Sequence, residues 1–164
     1  MNFSFCITTD YSDINRLNEV MESIHALNIP FYEINVIGGK DSYDDGHYVS
    51  YIYFNENEKS GWITRKKNIL ANYSKYDNLV YLHDYYVFDS DWYKSFKEFG
   101  DEWDICSNQQ LLINVKRHFT DWVTWDDPVF PRYTALPYDE WSRTQHMYVS
   151  GGYFLVKKHI AMNN

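Results

Sequence analysis

The run Asn78-Leu79-Val80-Tyr81-Leu82 is continuously apolar and aromatic after its first residue, and it breaks at His83-Asp84 before Tyr85-Tyr86. A strand with one face in water alternates apolar and polar residues. An uninterrupted run is what a strand covered on both faces requires. Such a strand belongs to a sheet with helices on both sides, so this run steers the chain toward α/β architecture. Polar side chains at its carboxyl end lie where open α/β sheets bind ligands.

The flanking sequence supports that architecture. Phe3 to Thr8 reads as a strand, and Asp10-Tyr11-Ser12-Asp13 supplies turn and N-cap chemistry. Apolar residues then recur at Ile14, Leu17, Val20, Met21, Ile24 and Leu27, the spacing of an amphipathic helix, and Pro30 stops it. Phe31 to Ile37 reads as a second strand closed by Gly38-Gly39, and strand-helix-strand favours parallel pairing. Lys40 to His47 reads as a polar loop. Its aspartates Asp41, Asp44 and Asp45 lack the spacing and closing Glu of an EF-hand. Tyr48 to Phe54 is a third strand and Trp62 to Tyr73 a helix, with Ile63, Ile69 and Leu70 facing in. Beyond the central run, Ser90 or Asp91 caps a short helix through Phe99 that Gly100 ends. Trp103 to Ser107 and Leu111 to Lys116 read as strands. Arg117 to Thr144 is irregular and rich in aromatics. Met147 to Val156 is a last strand interrupted by Ser150-Gly151-Gly152, before a short basic end at Lys157-Lys158-His159. A single domain is expected.

Charge and cysteine usage narrow the function classes. A formal net charge of -8 leaves no basic field for recruiting nucleic acid. An acidic chain that binds an anionic nucleotide needs local help from a metal ion, helix N-termini or placed Lys and Arg. Cys6 and Cys106 lie in apolar contexts and read as buried free thiols, as in a cytoplasmic protein. No stretch reads as a membrane span or a signal peptide. The aromatic content of 20% fits sugar stacking or an interface, and equally the codon usage of an AT-rich genome.

Four short segments can carry chemistry. Asp84 at a strand end suits Mg2+ or Mn2+, which take oxygen ligands and bridge phosphates, and His83 would add a ligand suited to Mn2+. The plainer role is a turn cap and a packed ring. Gly38-Gly39-Lys40 lets backbone approach a ligand and offers Lys40 to a phosphate, or is simply a turn. Arg65-Lys66-Lys67-Asn68 is a basic helix segment that would counter a diphosphate, or is a solvated face. Ser150-Gly151-Gly152 would let a sugar lie against backbone, or is a strand bulge. No nucleophile elbow, H-E-x-x-H helix or C-x-x-C pair is present, and Asp139-Glu140 offers a general base for a hydroxyl.

The order of these segments resembles a GT-A glycosyltransferase, similar to glycosyltransferase family 2. It runs from a strand ending Thr8-Thr9-Asp10 and a strand ending Gly38-Gly39 to a helix with Lys66-Lys67-Asn68. A strand ending His83-Asp84 and the late Ser150-Gly151-Gly152 complete it. The resemblance covers about Phe3 to Lys158. It implies a GT-A, Rossmann-like, mostly parallel sheet flanked by helices, with residues 1–90 as the nucleotide-binding half and 91–164 as the donor and acceptor half. It implies a nucleoside-diphosphate sugar donor, a UDP-sugar favoured, with a glycan or other hydroxyl as acceptor. Thr8, Thr9 and Asp10 would lie near base and ribose, Gly38 and Gly39 by the nucleotide, and Lys67 and Asn68 toward the diphosphate. His83-Asp84 would occupy the DxD position and hold Mn2+ or Mg2+, Gly151 and Gly152 would line the sugar, and Arg65 or Lys67 would assist the leaving diphosphate.

Two departures from the family pattern stand out. His83-Asp84-Tyr85 carries one carboxylate where DxD has two. Only a dozen residues follow Gly152, so Asp139-Glu140, or else Asp126-Asp127, would have to act as base from an unusual place in a minimal or C-terminally shortened member. Trp122, Trp125 and Trp141 would stack on acceptor sugars, or simply pack. The rival readings are a non-catalytic nucleotide-binding domain of the same fold and a carbohydrate-binding module.

Overall fold

The computed structural model describes residues 1–39, 43–44, 48–124, 134–140, 142 and 147–163. The chain packs as two compact units, residues 1–105 with 155–164 and residues 106–154.

The first unit is built on β1 (Phe3–Thr8), α1 (Ile14–His25), β2 (Tyr32–Gly38), β3 (Tyr43–Asp44), β4 (Val49–Tyr53), α2 (Ile63–Tyr73), β5 (Asn78–His83) and α3 (Trp92–Phe99). After β6 (Ile105–Cys106), and much later in the chain, come β10 (Tyr153–Lys157) and α4 (Lys158–Met162). The sheet has the order β3-β4-β2-β1-β5-β10-β6. β1 pairs parallel with β2 and with β5, and β2 pairs parallel with β4, while β3 runs antiparallel to β4. The architecture is therefore α/β with a mainly parallel sheet and four helices among the described residues, as the sequence pattern led one to expect.

β1 is buried along its whole length because it is central and covered on both faces. On one face Phe3 and Phe5 meet Trp92, with ring centroids 5.1 and 5.7 Å apart, and Phe3 meets Phe96 at 5.7 Å. The other face is polar and partly hydrogen-bonded; the buried Thr8 hydroxyl and Asn35 Oδ1 have no hydrogen-bond partner among the described residues. Asn35 Nδ2 donates to Ser74 Oγ at 3.3 Å, and Ser74 Oγ donates to the Leu70 carbonyl at 2.7 Å. Asp13 caps α1 by accepting from Asn15 N and Arg16 N, and Leu17, Val20, Met21 and Ile24 form the buried stripe. Asp91 occupies the N-cap position of α3 without a side-chain cap bond, and Gly100 ends that helix at φ 91°.

Cys6 is buried and Cys106 only partly so, and both are free thiols. Burial pushes the Cys6 thiol up to about 12. A thiol reagent is therefore expected to modify Cys106 alone in the native protein and both cysteines in urea, which mass spectrometry would read directly.

The structure departs from the sequence pattern at four places. Met147 to Val156, expected as one interrupted strand, forms two strands, Met147–Tyr148 and Tyr153–Lys157, in different sheets. The loop after Gly39 contains the two-residue β3. Leu111 to Lys116 is a tight turn in place of a strand. Only Leu111 and Arg117 form a bridge, and the Val115 N–H donates to the Leu112 carbonyl at 2.8 Å. The apolar run there reads as a strand but has no sheet to join, and Ile113 stands fully exposed at 107%. The basic end after Val156 continues into α4, where Lys158 N donates to the Asp77 carbonyl at 2.7 Å.

The second unit carries a small antiparallel sheet of β7 (Val123–Thr124), β8 (Thr134–Ala135) and β9 (Met147–Tyr148), in the order β8-β7-β9. Its buried polar anchor is Asp121, which pairs with Arg117 Nε at 3.4 Å and accepts from Tyr138 Oη. The Arg117 guanidinium lies 4.6 Å from the Tyr138 ring. No described helix is long and apolar enough to cross a membrane.

Candidate functional site

The chain leaves β1, builds β2 and β4 to one side, and returns to β5 on the other. The crevice between the carboxyl ends of β1 and β5 is thus the point where strand order reverses, the usual ligand position in open α/β sheets. Thr8 lies opposite both Ile37 and His83 in register. This places Thr8, Thr9, Gly38, His83 and Asp84 together at one edge of the sheet.

Thr9 is the hub. Its hydroxyl donates to Asp84 Oδ2 and accepts the Tyr11 N–H at 2.9 Å, and its carbonyl accepts from Lys66 Nζ at 3.4 Å. Lys66 is 2% exposed. Its ammonium pairs with Glu56 and lies 5.2 Å from the centre of the Phe54 ring. Glu56 Oε2 also accepts the Gly61 N–H at 3.1 Å. The Thr8 hydroxyl, one residue away, is buried without a hydrogen-bond partner among the described residues.

Lys67 is partly buried above Tyr81, its ammonium 5.6 Å from the ring centre, and Tyr81 Oη donates to the Lys67 carbonyl at 3.0 Å. Lost hydration pulls the Lys67 ammonium down to about 8. Burial and then the charge of Lys67 hold the His83 imidazole below its ordinary value, against the opposing pull of Asp84. His83 is therefore poised as the neutral ring that ligates metals. It stacks on Tyr85 at 5.5 Å with ring planes 9° apart. Arg65 and Asn68 are exposed on α2, with the Asn68 carbonyl accepting from Asn72 at 2.8 Å. Asp10 is exposed, and the Ser12 side chain and then the Ser12 N–H, which it accepts at 2.8 Å, hold its carboxyl below the ordinary value.

Gly38 is required here by space. A Cβ on it would fall 2.5 Å from Tyr11 Cε2 and 2.8 Å from the Thr9 carbonyl oxygen, whereas at Gly39 the nearest atom is Glu56 Cγ at 3.5 Å. Gly38→Ala is expected to cost about 1–3 kcal/mol by displacing the β1–α1 turn, and Gly39→Ala to be close to neutral. Urea unfolding of both variants checks this.

Asp139, Glu140, Gly151 and Gly152 lie in the second unit. Asp139 is exposed. Glu140 accepts from Ser142 N and Ser142 Oγ, and these bonds hold its carboxyl below the ordinary value, which weakens it as a base. Gly151 has open space around the position of a Cβ, and Gly152 N donates to Ser150 Oγ at 3.3 Å. Trp122 sits at φ 45° in a turn. Lys40, Trp125, Asp126, Asp127 and Trp141 lie outside the described residues.

Among the described residues, no group of three or more His, Cys, Asp and Glu gathers where it could hold a metal. Any cation at Asp84 and His83 would need phosphate oxygens and water to complete its shell, the way Mg2+ is commonly held on nucleotides. One carboxylate and one neutral imidazole fit that shared arrangement. Sequence reasoning did not single out Glu56 or Tyr11, and it took Lys66 only as part of a basic helix segment facing a diphosphate or solvent. Lys66 had a signal, since it lies four and eight residues before Leu70 and Ser74 on the buried face of α2.

No protein-family profile matches the chain, and no curated protein matches it. Among solved structures, residues 1–349 of TarS from S. aureus superpose with a TM-score of 0.64 at 14% identity, over 100% of this chain and 49% of that one. The apo form of the glycosyltransferase GlyE from Streptococcus pneumoniae TIGR4 gives a TM-score of 0.49 at 9% identity, over 99% of this chain and 36% of that one. The chain thus spans about half the length of the TarS fragment. The chain shares the fold of that TarS fragment.

Proposed function

We propose that the protein binds a nucleoside-diphosphate sugar, a UDP-sugar favoured, together with Mn2+ or Mg2+ at Asp84 and His83, and transfers the sugar to an acceptor hydroxyl. The observation that carries this reading is the meeting of Asp84, His83 and Thr9 at the switch point of a fold whose segment order resembles a GT-A glycosyltransferase. Bound there, a divalent cation supplies charge neutralisation for the leaving diphosphate. The chain's own residues do the rest. Asp84 presents its carboxylate while Thr9 holds one of its oxygens. Lys67 offers positive charge beside the phosphates, and Arg65 assists from the exposed face of α2. Of the two expected bases, Asp139 is the one that would take the acceptor proton. A screen of nucleotide-sugars for Mn2+-dependent thermal stabilisation tests the reading. A UDP-sugar is expected to raise the melting temperature only with the cation present.

Lys67 gives the reading a pH signature. The protonated ammonium attracts a diphosphate, and in the free protein it loses its proton near pH 8. Nucleotide affinity is therefore expected to fall as pH rises above about 8, and Lys67→Met to flatten that part of the profile.

A second reading, donor binding without transfer, draws on Glu140, whose exposed carboxyl is stabilised in its charged form and so is a poor base. UDP binding without transfer or hydrolysis of any UDP-sugar would favour it.

A further inference from the structure

Asp84 is the half-buried carboxylate at the switch point, and its Oδ2 is held by the Thr9 hydroxyl. That hydroxyl is itself oriented, because it accepts the Tyr11 N–H at 2.9 Å and so has its proton free to donate toward the carboxylate. The Thr9 carbonyl is fixed from the opposite direction by Lys66, a lysine with almost no exposure whose ammonium is tied to Glu56 and faces the Phe54 ring. Glu56 is anchored in turn by the Gly61 N–H. One chain of bonds thus runs from the start of α2 through a buried ion pair to the β1–α1 turn, and from there to Asp84. A buried ion pair brings little net stability over an apolar pair of the same shape, so a strut of this kind is better understood as fixing geometry. The close fit of Gly38 under Tyr11 and the Thr9 carbonyl removes slack from the same turn.

We infer that Thr9, braced by the Lys66–Glu56 pair, is a positioning residue that fixes the Asp84 carboxylate for shared cation and diphosphate binding. This rests on the proposed donor site. It gives Thr9 a role distinct from touching base or ribose, and it gives Lys66 a role distinct from touching phosphate. Among the described residues the Asp84 carboxylate is held by the Thr9 hydroxyl, so replacing that hydroxyl with a methyl frees the carboxylate to sample other rotamers. Thr9→Ser keeps the donor.

Two readouts on the full chain test this. The first is the Asp84 side-chain rotamer distribution, from three-bond couplings in the NMR spectrum without ligand. The second is the gain in UDP affinity when Mn2+ is added, from calorimetry. Wild type and Thr9→Ser are expected to show one dominant Asp84 rotamer and the full gain. Thr9→Val is expected to show averaged couplings and to lose about 10- to 100-fold of the gain, the usual loss when a partner of a metal ligand is removed. The paired variant Lys66→Met with Glu56→Gln, which strands no buried charge, is expected to change the gain in the same direction while remaining folded. A full gain in Thr9→Val, or one dominant Asp84 rotamer in it, overturns the positioning role. If wild type itself shows no Mn2+-dependent gain, the donor-site reading falls and takes this role with it. That failure is distinct because it appears before any substitution.

Discussion

Asp84→Ala is expected to abolish the cation-dependent part of nucleotide binding, a loss of about 100-fold or more in UDP affinity with Mn2+ present, and to leave metal-free affinity within about threefold. The asymmetry follows from the donor set. Asp84 is the carboxylate among the described residues at the switch point that the neighbouring imidazole can join, and no cluster of three or more acids, His and Cys gathers among those residues to take over. The fold should survive, because Asp84 lies just past the end of β5 and its deletion removes one acceptor of the Thr9 hydroxyl, not a core contact. Asp10→Ala is the matched control. Asp10 is exposed, its described bond is to Ser12, and its loss should change the cation-dependent gain little. Calorimetry of the two variants side by side separates a specific ligand from a general loss of negative charge.

The second large effect concerns stability. Glu56→Ala leaves the Lys66 ammonium buried with, among the described residues, the Thr9 carbonyl and the Phe54 ring for company. Breaking a buried pair by removing one partner costs about 3–5 kcal/mol, and those remaining contacts place the expected loss near the lower end of that range. The double variant Lys66→Met with Glu56→Gln should recover most of it. The Arg16–Asp13 pair sets the scale for an exposed interaction. Its side chains are 55% and 48% exposed and 3.9 Å apart, and Arg16→Ala should cost about 0.5 kcal/mol or less. Urea midpoints of the three variants decide whether Lys66 is buried as described. Equal midpoints for Glu56→Ala and wild type would place its ammonium in water.

The central strands were legible because burial on both faces leaves an unmistakable apolar run. β1 begins and ends where the pattern put it, at Phe3 and Thr8, and β5 extends the expected strand by one residue, to His83. The same signal misled at Leu111 to Lys116, where apolar residues line an exposed turn, since composition cannot tell a strand with neighbours from one without them. Asp84 was found because a polar break after a buried run marks a strand end. Lys66 was hidden by Arg65 and Lys67, which made the segment read as one solvated basic face. α2 turns Lys66, the middle of its three consecutive basic residues, fully inward onto the Thr9 carbonyl far away in sequence and onto the Glu56 carboxylate before the helix. Thr9 stood out as a candidate, but its partner is 75 residues away, and only the parallel pairing of β1 with β5 brings the two together.

The most direct measurement is a calorimetric titration of UDP into the full-length chain, with Mn2+ and then with the cation removed by chelation. The account predicts binding to one site per chain, at least about 100-fold tighter with Mn2+, a difference of roughly 2.8 kcal/mol. No heat from UDP under either condition, or equal affinity with and without the cation, would contradict it.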